Sequence, residues 1–377
     1  MKFIKSLSLA ILFISILTVG CKNPLAHTDI PIKSFCLDFN WGWPGSWSFA
    51  EVGCWADANP EEQVKWYKDL GINTIQTFCV SANGYAWYKD AVVPVMPGLK
   101  YDYLPEMVRL GHKENMKVMG YFCIGSNPRW GEQNPDYSYG HSPKLTMGMP
   151  HNCHIPYTQK YLSYLDSAIR DAVKKTGIDG FMIDWVWQPT RELTGGKWID
   201  CEKKLFEEFM KKPFPGEDLL TEDDYNKYSR MAIERCWDVI HKAAKETNPE
   251  CIIWLSCNNL SIPYIVNSNM LKEVDWLINE AGDLESLNAV KSMIGKQTKI
   301  ITCFAEWNKQ DAKSIVPDAI KSGIGIYGFS QAHKNAVLFP IDQYLSMPID
   351  SFTGDNRNVA VLARVFNGLP MDYIKKN

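Results

Sequence analysis

Eleven cysteines are scattered through this chain without a single Cys-x-x-Cys pair, so zinc-ribbon and thioredoxin-type motifs are absent. Charge of one sign is scarce as well. Forty Lys and Arg face 43 Asp and Glu, for a formal net charge of −3, which argues against a nucleic-acid binder held by phosphate contacts. No His-Glu-x-x-His motif is present, and no Gly-rich phosphate turn follows the first apolar run, which argues against a zincin and an open nucleotide-binding sheet. A hydrophobic content of 46% with 22% charged residues excludes a disordered, collagen-like or coiled-coil chain. What the chain has in quantity is aromatic: 14 Trp, 17 Tyr and 16 Phe. Such rings serve as platforms for sugars or as large core residues, and number alone does not separate the two.

The first segment is a targeting device. Lys2 and Lys5 precede Leu7 to Val19, an apolar stretch of 13 residues broken by Ser8, Ser15 and Thr18. A spanning helix needs about 20. The stretch ends in Leu17-Thr18-Val19-Gly20-Cys21, which resembles a bacterial lipoprotein signal. Residues 1–20 are therefore expected to be a signal peptide, with Cys21 lipidated as the new N-terminus and residues 21–33 forming a tether. The expected location is the periplasm or the outer-membrane surface. Of the remaining cysteines, Cys36, Cys79, Cys123, Cys251, Cys257 and Cys303 lie in apolar, strand-like runs, where a thiol behaves as a small hydrophobe. One or two bridges involving Cys54, Cys153 or Cys201 stay open.

From residue 34 short apolar runs alternate with longer amphipathic ones. The strand candidates are Ser34–Trp41, Asn73–Val80, Lys117–Gly125, Gly180–Trp187, Cys251–Asn258, Asp275–Glu280, Lys299–Trp307 and Gly323–Gln331. The helical patterns are Pro60–Leu70, Tyr103–Asn115, Thr158–Thr176, Tyr228–Thr247, Leu284–Ile294, Asp311–Ser322 and Asn358–Phe366. Asn59-Pro60-Glu61-Glu62 has the cap, proline and acids of a helix start, and Gly71, Gly177 and Gly323 stand where helices should stop. Strands buried on both faces and alternating with helices imply parallel pairing through right-handed crossovers. Eight such units predict an α/β fold, a single (β/α)8 barrel over residues 34–377. The long inserts 43–59, 83–102, 126–157 and 188–226 each follow a strand and should build the active face.

In such a barrel, polar residues at the C-terminal strand ends read as catalytic. Asp38, Asp184, Glu280 and Glu306 sit there. Asp184 interrupts the apolar run Gly180-Phe-Met-Ile-Asp-Trp-Val-Trp187, where a buried carboxyl needs a partner or a task. Glu280 ends a strand of the same parity, so the two can face one another across the mouth. Paired carboxyls are what glycoside hydrolysis requires. Glu306 is the competing acid/base.

These segments also carry a family likeness. Phe39-Asn-Trp-Gly-Trp43, Asn59-Pro-Glu-Glu62, Leu70-Gly-Ile-Asn-Thr-Ile-Gln-Thr-Phe78, Asn83-Gly-Tyr85, Asp102-Tyr-Leu-Pro-Glu-Met107, Lys117-Val-Met-Gly-Tyr121 and Ile178-Asp-Gly-Phe-Met-Ile-Asp-Trp185 occur in the order seen in family 29 α-L-fucosidases, which residues 34–187 resemble. The resemblance implies Asp184 as nucleophile. Asp38, Asn40, Asn83 and Tyr121, at or near the same strand ends, are candidate substrate-binding positions. Two departures accompany it. The family's first-strand His is Asn40 here, and its Lys-His-His-acid-Gly run, which holds the fucose hydroxyls, reads Val80-Ser-Ala-Asn-Gly84. The family's C-terminal β-sandwich is not expected either.

Trp41, Trp43, Trp185 and Trp187 stand near strand ends, where rings either stack on sugars or pack in the core. Asn258, Asn259, Gln331 and His333 can hydrogen-bond to hydroxyls. His151-Asn-Cys-His154, with His141 nearby, is read as a cleft-lining loop, and no metal or cofactor is expected. The function these observations predict is an exported, lipid-anchored glycoside hydrolase, retaining, acting on an oligosaccharide or glycoconjugate. A non-catalytic glycan-binding lipoprotein is the rival from another class, and a metal-dependent barrel hydrolase the third reading.

Overall fold

The structure is a computed structural model, and it describes residues 31–41, 50–139, 154–186, 197–331 and 338–376. Strands β1 (Lys33–Asp38), β2 (Thr74–Gln76), β3 (Lys117–Cys123), β4 (Gly180–Asp184), β5 (Ile252–Cys257), β6 (Trp276–Asn279), β7 (Lys299–Phe304) and β8 (Gly325–Gln331) pair in parallel, in sequence order, and β8 closes onto β1. The expected single (β/α)8 barrel is the architecture found. Lys33, expected to end the tether, already belongs to β1.

The helices pack outside. They are α1 (Pro60–Leu70), α2 (Tyr103–Lys113), α3 (Pro128–Gln133), α4 (Gln159–Thr176), α5 (Asp200–Met210), α6 (Glu222–Thr247), α7 (Asn269–Glu273), α8 (Leu284–Val290), α9 (Ala312–Lys321), α10 (Ile341–Ser346) and α11 (Gly354–Phe366). Local chemistry explains α1 fully. The Asn59 side chain accepts the Glu61 N–H at 3.0 Å, and Gly71 takes φ 83° to end the helix. Gly177 and Gly323 adopt the same left-handed backbone at φ 71° and 67°, a conformation that disfavours side chains with a Cβ.

Strands are shorter than their apolar runs. The first stops at Asp38 rather than Trp41, the second keeps only Thr74–Gln76, and the fourth stops at Asp184. The apolar residues beyond those ends continue into loops packed over the barrel rim. Helix α6 starts at Glu222 rather than Tyr228, because Thr221 accepts the Asp224 N–H at 3.1 Å and three acids fill the first turn. That opening turn is polar and hides from an apolar-periodicity reading. Helices α3 and α5 lie inside stretches expected to be loop.

The parallel register sorts side chains into inward and outward sets. Cys36 pairs with Gln76, Gln76 with Met119, Tyr121 with Met182, Met182 with Trp254, Trp254 with Trp276, and Cys303 with Tyr327. Contacts across the barrel mark this set as the inward one. Tyr327 on β8 donates its hydroxyl to Gln76 Oε1 on β2 at 3.1 Å, and its ring meets Trp254 of β5 at 5.4 Å. Every second residue along a strand shares a face, so Asp38, Asp184, Ser256 and Phe329 are inward as well, in the top layer. The six cysteines expected in strands are buried free thiols, although Cys79 and Cys251 lie just outside β2 and β5. Cys201 is a free thiol too, and Cys153 lies outside the described residues.

Candidate active site

Asp184 is the last residue of β4 and is 8% exposed. The Tyr121 hydroxyl from β3 donates to its Oδ2 at 2.8 Å, and the Trp185 N–H donates to Oδ1 at 2.7 Å. The second bond depends on backbone geometry, since Trp185 sits at φ 58°. A left-handed, bulky residue costs about 1–3 kcal/mol, and such strain concentrates at functional sites. Gly125 makes room for this turn: a Cβ there would lie 2.2 Å from the Trp185 carbonyl oxygen.

Glu280 follows β6 directly. Ser256 of β5 donates to its Oε1 at 2.7 Å, and its backbone carbonyl accepts the Asn308 amide at 2.9 Å. Asp38 ends β1 at 7% exposure and accepts the Asn40 N–H at 2.5 Å. Asn40 in turn accepts the Ala82 N–H at 2.7 Å, tying the rim after β1 to the rim after β2.

These three carboxyls feel one another. Burial raises Asp184 well above the usual carboxylate range and the charge of Glu280 raises it further, while the Tyr121 and Trp185 donors oppose the shift and Asp38 adds to it. Glu280 is raised by burial, against the Ser256 hydrogen bond. Asp38 is pushed up to about 7 by burial first, with the Asn40 N–H opposing and Glu280 reinforcing. No Lys, Arg or His among the described residues is paired with any of them. Like charges in a shared low-dielectric site cannot all ionise, so the mouth retains protons near neutrality.

Glu306 does not join this group. It is exposed, in the 3₁₀ turn Glu306–Asn308 after β7, and its N–H is bound by Asp355 Oδ1 at 2.8 Å. Asp355, at the start of α11, is pushed up to about 6 by burial, with Glu306 adding repulsion.

The remaining sequence-predicted positions separate by use. Tyr121 serves Asp184 directly. Asn83 is buried, with its amide engaged by the Ala50 carbonyl and the Ser81 hydroxyl, which makes it a brace between two rim loops. Trp41 and Trp185 are half-buried, and the Trp41 carbonyl accepts the Trp55 indole N–H at 3.0 Å. Asn258 is exposed just beyond β5, as is Asn259, whose side chain closes a turn onto the Ser261 N–H. Gln331 stands beside Asp38 in the β8–β1 register. Trp43, Trp187, His333 and Cys21 lie outside the described residues, with His141 and His151. His154 is buried, and burial lowers its imidazole to about 3 and leaves Nε2 unpartnered. No cluster of three potential metal ligands occurs among the described residues.

Sequence reasoning missed Ser256, although its inward position on β5 follows from strand alternation. It also missed Glu202. This residue of α5 is 3% exposed, accepts the hydroxyls of Tyr139 and Tyr228, and is pushed up to about 7 by burial. Nothing local marks a glutamate among Cys201-Glu-Lys-Lys204 as the buried one.

Comparison with known proteins adds a coarse assignment. A family model described as hypothetical glycosyl hydrolase 6 matches residues 59–185, the segment running from α1 through the Asp184 turn. Among solved structures, α-L-fucosidase isoenzyme 2 from Paenibacillus thiaminolyticus superposes with a TM-score of 0.57 at 12% identity, over 88% of this chain and 48% of that one. The glycoside hydrolase domain of PgaB (BpsB) from Bordetella bronchiseptica gives 0.55 at 11% identity, over 85% and 94%. The shared fold is the (β/α)8 barrel. A β-galactosidase from Bacillus circulans sp. alkalophilus is similar again, with a TM-score of 0.51, 13% identity and coverage of 86% and 56%. The chain spans about half the length of the fucosidase it resembles. No curated protein matches it in sequence. The barrel thus presents three carboxyls, with no cation paired to them among the described residues, at the end where this fold performs chemistry.

Proposed function

We propose that the protein is a retaining glycoside hydrolase in which Asp184 is the nucleophile and Glu280 the acid/base. The observation that carries this reading is the pair itself. Two inward carboxyls stand at the ends of β4 and β6, close enough for the charge of Glu280 to raise Asp184, and no Lys, Arg or His among the described residues is paired with either. Among the described residues Asp184 has two donors and Glu280 one. Burial raises both, and their repulsion leaves one proton belonging to the pair, which the bound substrate draws onto Glu280 beside the departing oxygen. Asp184 attacks the anomeric carbon as Glu280 gives its proton to the departing oxygen. Glu280 then takes a proton from the water that attacks the glycosyl-enzyme ester, and Asp184 leaves as carboxylate.

The substrate is an oligosaccharide or glycoconjugate. Fucose is not the sugar favoured, because Asn40 and Val80-Ser-Ala-Asn-Gly84 replace the groups with which the resembled family holds it. The N-terminal segment supports an exported protein anchored through a lipid on Cys21. The test of the reaction is a screen over aryl glycosides and natural glycans with Asp184→Asn alongside. Turnover should fall by about 10³-fold or more, the scale of removing a group that acts in the chemical step. Turnover near that of the parent would remove Asp184 from the mechanism. Proton NMR of the first-formed product checks retention of the anomer. Tight glycan binding without hydrolysis across the panel would mark a binding protein instead.

A further inference from the structure

Trp307 is the only aromatic among the large apolar side chains found exposed in the described residues, at 36%. Its place is informative. Phe329 belongs to the inward top layer of β8, and the Trp307 ring stands edge-on to it with centroids 4.2 Å apart. The indole therefore leans over the barrel interior, at the same mouth as the carboxyls, and its open surface borders that mouth. The indole N–H makes no hydrogen bond with the described residues and remains free to donate.

The turn that carries Trp307 is held from three sides. Asp355 binds the Glu306 N–H at 2.8 Å. The Asn308 amide donates to the backbone carbonyls of Glu280 and Cys303 at 2.9 and 3.0 Å, and Asn308 Oδ1 accepts the Gln310 N–H at 3.1 Å. The turn's backbone is thus fixed and the Trp307 ring rests on Phe329, which leaves an open indole face at the mouth as a platform for the apolar face of a ligand.

We propose that Trp307 forms a sugar subsite beside the catalytic pair, with the indole stacking on the apolar face of a pyranose ring. This rests on the carbohydrate reading above and deepens it. The site then accommodates more than one sugar unit. Pre-ordering of the ring removes part of the entropy that binding would otherwise cost.

The test is equilibrium binding, so that it stands apart from catalysis. Cello-, xylo-, malto- and chito-oligosaccharides of one to six units are titrated into Asp184→Asn protein and into the same protein carrying Trp307→Ala or Trp307→Tyr. Trp307→Ala should weaken the best-bound oligosaccharide about three- to tenfold, the scale of one aromatic contact. Trp307→Tyr should restore most of that loss, and the single sugar should lose less than the longer ones. Thermal melting of each variant separates lost contact from lost fold. Equal affinity with and without Trp307, an equal loss at every length, or no binding of any probe by the parent overturns the subsite. Failure of the hydrolytic reading would show instead as unchanged turnover in Asp184→Asn.

Discussion

Asp38 shows at the scale of one residue how the mouth governs its own charge. No cation among the described residues is paired with it, and its charge raises Asp184 of the proposed catalytic pair. Asp38→Asn keeps the shape and removes that charge. Because Asp38 is itself pushed up to about 7, its charge is present mainly on the alkaline side. Removing a like charge lowers a neighbour's pKa, so the alkaline limb of the kcat/KM pH profile should move to lower pH, by about half a unit on the scale of such charge interactions, with the acid limb moving less. A profile merely scaled down at constant shape would leave Asp38 as a structural acid. Asp184 was legible in the sequence because a carboxyl in an apolar run carries a desolvation penalty that demands a reason. Ser256 and Trp307 were not, since a serine in a strand and a tryptophan after one are ordinary until their neighbours are known.

At the scale of elements, backbone proximity rather than side-chain chemistry sets tolerance. Gly180 opens β4, and a Cβ there would lie 2.1 Å from the Ile252 carbonyl oxygen and 2.7 Å from its Cβ. The β4–β5 ladder would have to open locally. Gly180→Ala should lower stability by about 1–3 kcal/mol, the cost of overpacking a tight interior, read as a lower urea midpoint at unchanged slope. An unaltered midpoint would show that the two strands give way freely. Strand and helix identity followed from periodicity and caps, as α1 demonstrates residue for residue. Strand ends did not, because Trp185 leaves the ladder through a left-handed backbone while its composition still reads as strand. Helix α5 was hidden for a related reason: its buried face includes Glu202, which becomes acceptable in the core only through Tyr139 and Tyr228, distant in sequence.

For the molecule as a whole, closure of eight parallel strands gathers chemistry from separate stretches of the chain at one end of the barrel. The proposed lipid anchor is a separate matter and rests on the N-terminal segment alone. If Cys21 bears a lipid, Cys21→Ser should move the protein from the membrane pellet to the soluble fraction of a bacterial host, and an unchanged pellet fraction would count against the anchor. By itself the sequence determined the alternation of elements, the barrel, and the carboxyls that end its strands. These follow from local periodicity and from the cost of burying charge, both written into adjacent residues. Only the tertiary structure decided which carboxyls meet. Glu280 and Glu306 end neighbouring units and look equivalent in sequence. One turns inward beside Ser256 and shares the field of Asp184, while the other is exposed on the turn after β7, with its N–H bound by Asp355. Charge interactions depend on distance and burial, and neither exists until the barrel closes.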